Sequence, residues 1–534
     1  MIKNHSLILN TGKQSIHLQI PEDLSVRLAL DIEGLRVRAA CGGIGTCGAC
    51  TIKTVKGNFT SLTLAEWQKI PPEEREHGTR LACQLYLKSD AEVFLDNPAP
   101  SSNWKSFNLQ HWPNYHYPNF DVKNSFYAVA VDLGTTHIRL SFWDRNTQQR
   151  IACRHGNNPQ VALGEDVLTR LDVHRQREAN LQSLTQIVRD AIIEGIRDIL
   201  ARDIGEIKSI LAKVGVVNIV GNTAMLALLS GQDGSELYDP ESWEHPIACV
   251  ADDVFSWKQS WRMPNANITI QAPLAGFIGS DILADLIAIN ITQHSKPVLL
   301  ADFGTNTEIA LWDGKQLWLT SVPGGPAFEG VGLQNGLSAE AGAIRAVNLI
   351  NDSFVLETVD DQTAKGFCAS GFVDAIALLR IQGELKLSGR FLNPLPEGFL
   401  LDKTNAYTAI KPGDIDAFQR AKASTAAAMQ QLLVLANIST HNLSELWICG
   451  AFGQHLNVHN AQTSGLIPTM DCSRIKLFGN AALSGCEKMI LAPNAKKNTD
   501  ELRQRIHVVN LSHYPEYDDY FINHLRLQPF IRDE

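Results

Sequence analysis

No uncharged apolar run in this chain approaches the ~18 residues a bilayer-spanning helix needs; the nearest, Ile282 to Ile291, is broken by Asp285. The first residues, MIKNHSLILN, have neither the apolar stretch nor the small-residue cleavage site of a secretory signal. A cytoplasmic protein with no membrane partner is the expectation. The chain also lacks a basic surplus. Its 47 Lys and Arg stand against 57 Asp and Glu, a formal charge of −10, which gives no general attraction to phosphate backbones or anionic lipid. Nucleic acid is therefore not an expected partner. Cysteine is scarce, 10 in 534 residues, too few for a disulfide scaffold. In a reducing compartment these residues serve as thiols or metal ligands, and their spacing decides which.

Apolar filling is plentiful. Hydrophobic residues make up 44% of the chain and charged residues 19%, with 10 Trp, 9 Tyr and 20 Phe, enough to fill several cores and to exclude disorder. At roughly 100–200 residues per domain the length argues for three or four domains.

Cys41, Cys47 and Cys50 fall in AACGGIGTCGACTI, and Cys83 follows in RLACQLYL. Ligands of a [2Fe–2S] cluster typically come three from one loop and one from later in the chain. Gly42, Gly43, Gly45 and Gly48 leave the loop bare, so backbone can wrap an inorganic core closely. A structural zinc site or four unrelated thiols are the other readings. Zinc sites usually pair two CxxC-like knuckles, and only Cys47 and Cys50 make one here. The spacing departs from the plant type and resembles the adrenodoxin-like [2Fe–2S] ferredoxins. Before the loop, SIHLQI alternates as a strand and SVRLALDIEGL has helical spacing ending at Gly34, as a β-grasp frame requires. The other six cysteines show no ligand spacing and read as packing residues.

From Asp96 to Val122 prolines and asparagines interrupt any apolar period, so the segment reads as a tether that could let a small redox domain swing by tens of ångströms. Its aromatics, Trp104, Trp112, Tyr115 and Tyr117, are expected to pin it to its own protein rather than to a partner.

At Tyr127 the phrase YAVAVDLGTTHIRLSFWD gives strand, Asp-x-Gly-Thr, strand, and VLLADFGTNTEIALW at 298–312 repeats it. Asp132 and Asp302, each ending a strand, can hold Mg²⁺ through water. Gly134, Thr135, Thr136 and Gly304, Thr305, Asn306 can offer N–H and hydroxyl groups to phosphate. One such turn is a common hairpin, and a matched pair in order is a stronger signal. The pair resembles the phosphate loops of the acetate kinase, sugar kinase, heat-shock 70 and actin superfamily. In LWICGAFGQHL, Gly450 and Gly453 resemble that superfamily's adenosine motif. Asn480 to Leu491 is either a helix that crosses back to the first subdomain or an ordinary surface helix.

Further phrases narrow the likeness: NNPQVALGEDVLTRL, VGNTAML, APLAGFIGSDI, PGGPAFEG and GNAAL. Together they resemble the reductive activators of corrinoid proteins, over residues 1 to about 495. The resemblance implies an α+β and α/β multidomain fold. A β-grasp [2Fe–2S] ferredoxin domain (1–92) and a linker (93–125) precede a two-subdomain ribonuclease-H-like ATPase (126–295 and 296–534) whose C-terminal segment partly crosses back. It implies ATP-dependent, one-electron reduction of cob(II)amide to cob(I)amide in a methyltransferase system, with [2Fe–2S], ATP and Mg²⁺ as cofactors. The implied partners are a corrinoid protein and a low-potential electron donor, and a homodimer through the ATPase half stays open. Some relatives insert a further domain after the ferredoxin or carry C-terminal [4Fe–4S] cysteines; neither is found here, so electron entry is expected at the N-terminus.

The expected ligands are Cys41, Cys47, Cys50 and Cys83, with Asp132 and Asp302 on the cation. Glu308 either orients the attacking water or sits on an exposed strand face. Gly221, Asn222 and Thr223, like Gly325 to Glu329, either border the nucleotide or corrinoid partner or serve as plain turns. A redox-regulated small-molecule kinase and an ATP-gated electron donor to another metalloenzyme remain the rival readings. No function is read for the region after Asn498, where packing is the default.

Overall fold

The computed structural model describes residues 3–530 apart from 12–14, 33–36, 38–44, 46–49, 96–103, 107–125, 163–166, 177, 205–206, 233, 325–327, 329–332, 340 and 493. Its first unit holds β1 (Asn4–Asn10), β2 (Ser15–Pro21), α1 (Val26–Ile32), β3 (Thr51–Lys56), α2 (Leu64–Lys69), α3 (Pro72–Glu76), β4 (Thr79–Leu81) and β5 (Ala91–Phe94). They form one five-stranded sheet in the order β2-β1-β5-β3-β4. Leu7, Leu9, Val26, Leu30, Leu81, Leu85 and Val93 fill its core, the alternation of β1 and the helical spacing of α1 pointing to the same side. The β-grasp frame is thus present.

The second unit holds β6 (Lys105–Ser106), β7 (Tyr127–Leu133), β8 (His137–Asp144), β9 (Gln149–Asn157), α4 (Val167–Gln176), α5 (Glu178–Ile199), α6 (Lys208–Leu211), β10 (Val214–Gly221), α7 (Thr223–Ser230), α8 (Val254–Trp261), β11 (Asn267–Ile270) and α9 (Ser280–Ala288). Strands β7, β8 and β9 are antiparallel, while β10 and β11 lie parallel on the other side of β7. The run Ala128 to Val131 is buried because helices cover both faces of β7. On α5, Leu184, Val188, Ile192 and Ile196 make one apolar stripe.

The third unit repeats this plan. It contains β12 (Val298–Phe303), β13 (Asn306–Trp312), β14 (Leu317–Pro323), β15 (Ala343–Ile350), β16 (Ser353–Thr358), β17 (Gly366–Phe367), α10 (Ala369–Ile381), β18 (Phe399–Leu400), β19 (Ala409–Ile410), α11 (Pro412–Leu435), β20 (Glu445–Gly450), α12 (Val458–Ser464), β21 (Ile475–Leu477), α13 (Ala481–Leu491), α14 (Ala495–Arg503), β22 (Ile506–Val508) and α15 (Glu516–His524). The two main sheets run β11-β10-β7-β8-β9-β6 and β21-β20-β12-β13-β14-β22, so the duplicated phrase opens duplicated sheets.

Two helices are exchanged between the halves. Ile282, Leu283 and Leu286 of α9 share a core with Val298, Leu300 and Ala310 of the third unit, although α9 precedes it in sequence. Conversely, Leu483, Cys486 and Ile490 of α13 pack with Ala128 and Ala130 of β7. Buried Glu487 accepts from Arg150 and from the Trp143 indole. The helix starting at Asn480 therefore crosses back. The two exchanged helices meet at Gly485, where a Cβ would stand 1.8 Å from the Ala284 carbonyl oxygen.

The segment after Asn498 belongs to the third unit. Its β22 extends the sheet beside β14, and the carbonyls of Leu525, Arg526 and Leu527 after α15 accept from Gln419, Lys422 and Arg380.

The tether is shorter than the sequence suggests. Trp104 is buried in a notch formed by Gly156 and Gly195, and β6 pairs with β9, so the strap is fixed there as an edge strand. Only residues 96–103 separate the end of the first unit from this anchor, a reach of under about 30 Å at roughly 3.5 Å per residue. Trp112, Tyr115 and Tyr117 lie outside the described residues. No helix among the described residues is long and apolar enough to cross a membrane.

Candidate functional site

The first Asp-x-Gly-Thr turn joins β7 to β8. Gly134 N–H donates to the His137 carbonyl at 2.9 Å, closing the turn. Three side chains brace it. Arg170 donates to the Thr135 carbonyl at 2.7 Å, Asn222 to Thr135 Oγ1 at 2.8 Å, and Asn158 to the Gly134 carbonyl at 3.0 Å. Thr136 follows, its carbonyl accepting from Asn158 N–H. Asp132 is buried, and its Oδ2 accepts from Arg139 at 3.3 Å and from Asn480 Nδ2 at 3.1 Å. Asn480 is also the N-cap of α13, so the crossing helix is tied to the Asp that ends β7.

The second turn, Gly304-Thr305, joins β12 to β13, which starts at Asn306. The copies have diverged in charge: Arg139 sits opposite Asp132, but Glu308 sits opposite Asp302. Glu308 is buried and accepts from Ser321 at 3.3 Å, so it is not on an exposed strand face. Burial, then the Asp281 and Asp302 charges, hold its carboxyl well above the usual range.

Gly450, with φ 68°, needs the left-handed backbone that glycine tolerates. A Cβ there would stand 2.1 Å from Asp302 Oδ1, so the end of β20 lies directly on that carboxylate. At Gly453 a Cβ would stand 2.2 Å from the Phe478 carbonyl oxygen. Between them, Phe452 stacks edge-on with Phe303 and Phe328. Gly221 ends β10 against the Leu133 carbonyl, and Asn222 caps α7 while touching Thr135. Thr223 is buried and donates to the Ala275 carbonyl, a packing role. Gly325, Pro326, Ala327 and Glu329 lie outside the described residues.

Two acidic residues not picked out in the sequence join this group, both from α9. Asp281 is pushed up to about 7 by burial and by the charges of Asp132 and Asp302. Asp285 is fully buried, and burial together with Asp302 raises it well above the carboxylate range. The signal was present in Asp285, the one charge inside the Ile282 to Ile291 run. Buried Cys449 lies beside the same carboxylates, and burial with their charge pushes its thiol up. Like charges crowded together at largely buried positions favour a cation among them. Among the described residues no three His, Cys, Asp or Glu side chains stand close enough to ligate an ion directly. Asp132 and Asp302, at the ends of β7 and β12, are residues of the kind that fit Mg²⁺, which binds through one or two carboxylates plus phosphate and keeps several waters.

In the first unit, Cys50 and Cys83 are both buried, and a hydrogen bond between the two thiols pushes Cys50 up. They come from different segments, joined by Ala82 N–H donating to the Cys50 carbonyl at 2.8 Å. Gly45, with φ 88°, abuts Ala65 of α2, where a Cβ would come within 2.8 Å. Two soft ligands converging beside a glycine loop fit a [2Fe–2S] cluster. Cys41 and Cys47 lie outside the described residues. Of the remaining cysteines, Cys153, Cys249, Cys368, Cys449 and Cys486 are buried as expected, but Cys472 is exposed.

Three family models match the chain. A 2Fe-2S iron-sulfur cluster binding domain covers residues 9–88, the RACo middle region covers 127–294, and the C-terminal domain of RACo, the ASKHA domain, covers 296–530. The corrinoid activation enzyme RamQ of Eubacterium limosum is 27% identical over 401 residues, 70% of this chain and 66% of its own length. The [Co(II) methylated amine-specific corrinoid protein] reductase of Methanosarcina barkeri is 24% identical over 415 residues, 71% of this chain and 73% of its own. This chain thus spans about two thirds of the first of these relatives. A solved reductive activator for corrinoid, iron-sulfur protein shares the fold, with a TM-score of 0.66 and 21% identity over 98% of each chain.

Proposed function

Because the chain belongs to the RACo family, the reductive activators of corrinoid proteins, we propose that it returns a corrinoid protein from cob(II)amide to cob(I)amide in one-electron steps driven by ATP. When bound to Cys41, Cys47, Cys50 and Cys83, a [2Fe–2S] cluster supplies a one-electron carrier, near roughly −400 mV in plant-type ferredoxins. Reaching a Co(II)/Co(I) couple below that value is uphill. Moving an equilibrium from 1:99 to 99:1 takes about 5.5 kcal/mol, roughly 240 mV for one electron. Nucleotide binding and hydrolysis cover that gap.

In this reading Gly134, Thr135, Thr136, Gly304, Thr305 and Asn306 hold the phosphates. Gly221 and Asn222 border them, and Gly450 and Gly453 border the adenosine. Asp132 and Asp302 hold Mg²⁺ through water, and Glu308 acts beside Asp302 on the attacking water. Closure of the cleft creates the face that grips the corrinoid protein, and product release resets it. A low-potential donor recharges the ferredoxin unit in the cytoplasm.

One observation carries the reading. Asp132 and Asp302 stand at equivalent ends of the central strands β7 and β12 of two duplicated sheets, Asp132 tied to Asn480 and Asp302 covered by Gly450, in a chain that also carries a ferredoxin-type sheet. The test mixes anaerobically prepared protein, a low-potential reductant, ATP and a cob(II)amide protein, and follows the visible spectrum. Loss of the cob(II) band only with ATP supports the reading, and equal loss without nucleotide refutes it.

A further inference from the structure

The acid that ends β7 and the strap that carries the ferredoxin unit lie on one row of the second unit's sheet. In register across the strands, Asp132 of β7 stands opposite Arg139 of β8, Arg139 opposite His155 of β9, and His155 opposite Lys105 of β6. Residues directly opposite share a face and are within side-chain reach, so the row runs three strand spacings, about 14 Å, from Asp132 to the strap. Arg139 stands between two sets of neighbours. Its Nη1 pairs with Asp132 Oδ2 at 3.3 Å on one side, and on the other it faces His155 and then Lys105. His155 is pushed down to about 4 by burial, then by Arg139 and Lys105, so at neutral pH it separates the two cations without cancelling either.

The strap is held by few contacts. It pairs through Lys105 with His155 and Ser106 with Arg154, and Trp104 fills the notch of Gly156 and Gly195. An edge ladder this short opens at small cost, so the charge facing Lys105 bears directly on whether it stays closed. The helix that offers Gly195 also offers Glu194 to Arg27 of the ferredoxin unit. Head and strap are thus parked together beside the row. Release of β6 lengthens the connection to the next strand, β7, from residues 96–103 to residues 96–126, about fourfold in contour.

Given a magnesium nucleotide in the cleft, the reading on which this rests, we propose that Arg139 couples nucleotide loading to release of the strap. A nucleotide whose cation is held by Asp132 takes the carboxylate that neutralises Arg139. The guanidinium is then left with Lys105 two strands away across a neutral His155, and that repulsion in a half-buried setting weakens the β6 ladder. The nucleotide-free protein keeps the ferredoxin unit parked on α5, and the loaded one gives it the length to reach a partner. Linkage makes the effect reciprocal, so a protein whose strap is already free binds nucleotide more tightly.

The test follows hydrogen exchange of the peptide holding Trp104, Lys105 and Ser106, by mass spectrometry of the full-length protein, with and without saturating Mg²⁺ and a non-hydrolysable ATP analogue. Exchange in the wild type is expected to rise on loading by about fivefold, the low end of the range for such couplings. Lys105→Glu changes an exposed strap residue outside the cleft and turns the repulsion into attraction, so its strap should stay protected in both states while the analogue still binds. Trp104→Ala empties the notch, and it should exchange fast without nucleotide and bind the analogue about fivefold more tightly. A wild-type strap equally protected with the analogue bound, the same rise in Lys105→Glu as in the wild type, or unchanged affinity in Trp104→Ala overturns the coupling. Wild-type protein that takes up no analogue in a parallel calorimetric titration sinks the nucleotide reading and the coupling with it, a result distinct from normal binding with an unresponsive strap.

Discussion

Arg27 on α1 and Glu194 on α5 form an ion pair at 2.5 Å across the junction of the ferredoxin unit and the first ATPase unit, with side chains 8% and 15% exposed. The Arg27 backbone N–H donates to the Ala82 carbonyl, next to Cys83, so the pair links the cysteine turn to α5. On the following residue of α5, Gly195 receives Trp104 of the strap. One helix thus holds both the head and its anchor, on neighbouring faces.

Breaking a largely buried pair leaves the other charge unpaired, which costs about 3–5 kcal/mol when burial is complete and less at a junction. A double-mutant cycle of Arg27→Met and Glu194→Gln, read by thermal unfolding, is expected to give a coupling of at least about 1 kcal/mol. The single variants should also raise hydrogen exchange in α1. A coupling near zero with unchanged exchange would mean that the head is not held there.

His137, the first residue of β8, and His155 of β9 face one another with ring centres 6.4 Å apart. Burial, then Arg139, His155 and Lys105, depress His137 to about 3; burial, then Arg139 and Lys105, depress His155 to about 4. A folded-state value below the unfolded one means the unfolded chain binds more protons, so stability rises with pH. The contribution is full above about pH 6.5 and is lost as pH falls toward 4 and 3. Melting temperature should therefore fall on acidification from pH 7 to 5, and His137→Gln should flatten that slope. An unaltered slope in the variant would remove His137 from the account.

Cys83→Ser and Asp302→Ala test the division of labour between the units. The first is expected to lose the visible iron–sulfur absorption and electron delivery while binding ATP as the wild type does. The second should keep the absorption and lose at least about tenfold in nucleotide affinity, the scale of one removed charge-assisted contact of about 1.4 kcal/mol. Identical defects in the two variants would count against separable modules.

The residues that could be read from sequence are those whose chemistry is local. A strand ending in Asp-x-Gly-Thr is complete within a few residues, so Asp132 and Asp302 announce themselves, as do cysteines clustered among glycines. Distant partners leave weaker marks. Glu487 looks like a surface residue of α13 until Arg150 and Trp143 meet it across the fold. Glu308 is indistinguishable in sequence from a solvated strand residue, and only the opposing Asp302 shows its setting. Asp285 carried its own signal, a lone charge in an apolar run, which argues against a membrane helix and equally for a polar neighbour. The strap is legible in part: Trp104 is expected to pin it to its own protein and does so, but where it docks needs Gly156 and Gly195 from two elements at once.

Asn480 offers the sharpest separation of structure from site. Its Oδ1 accepts from Leu483 N–H at 2.7 Å as the cap of α13, and its Nδ2 donates to Asp132 at 3.1 Å. Asn480→Ala removes both and should cost about 1 kcal/mol of stability through the cap alone. Asn480→Asp keeps a capping oxygen, so stability should stay within about 0.5 kcal/mol, but it sets a carboxylate against Asp132 in place of a donor. Nucleotide affinity without metal should then fall severalfold, and added Mg²⁺ should restore part of it by screening the new pair. Calorimetric titration with ATP, run with and without Mg²⁺, reads both effects. Wild-type affinity in Asn480→Asp under both conditions would reduce the Asn480 contact to helix capping and break the link between α13 and the cleft.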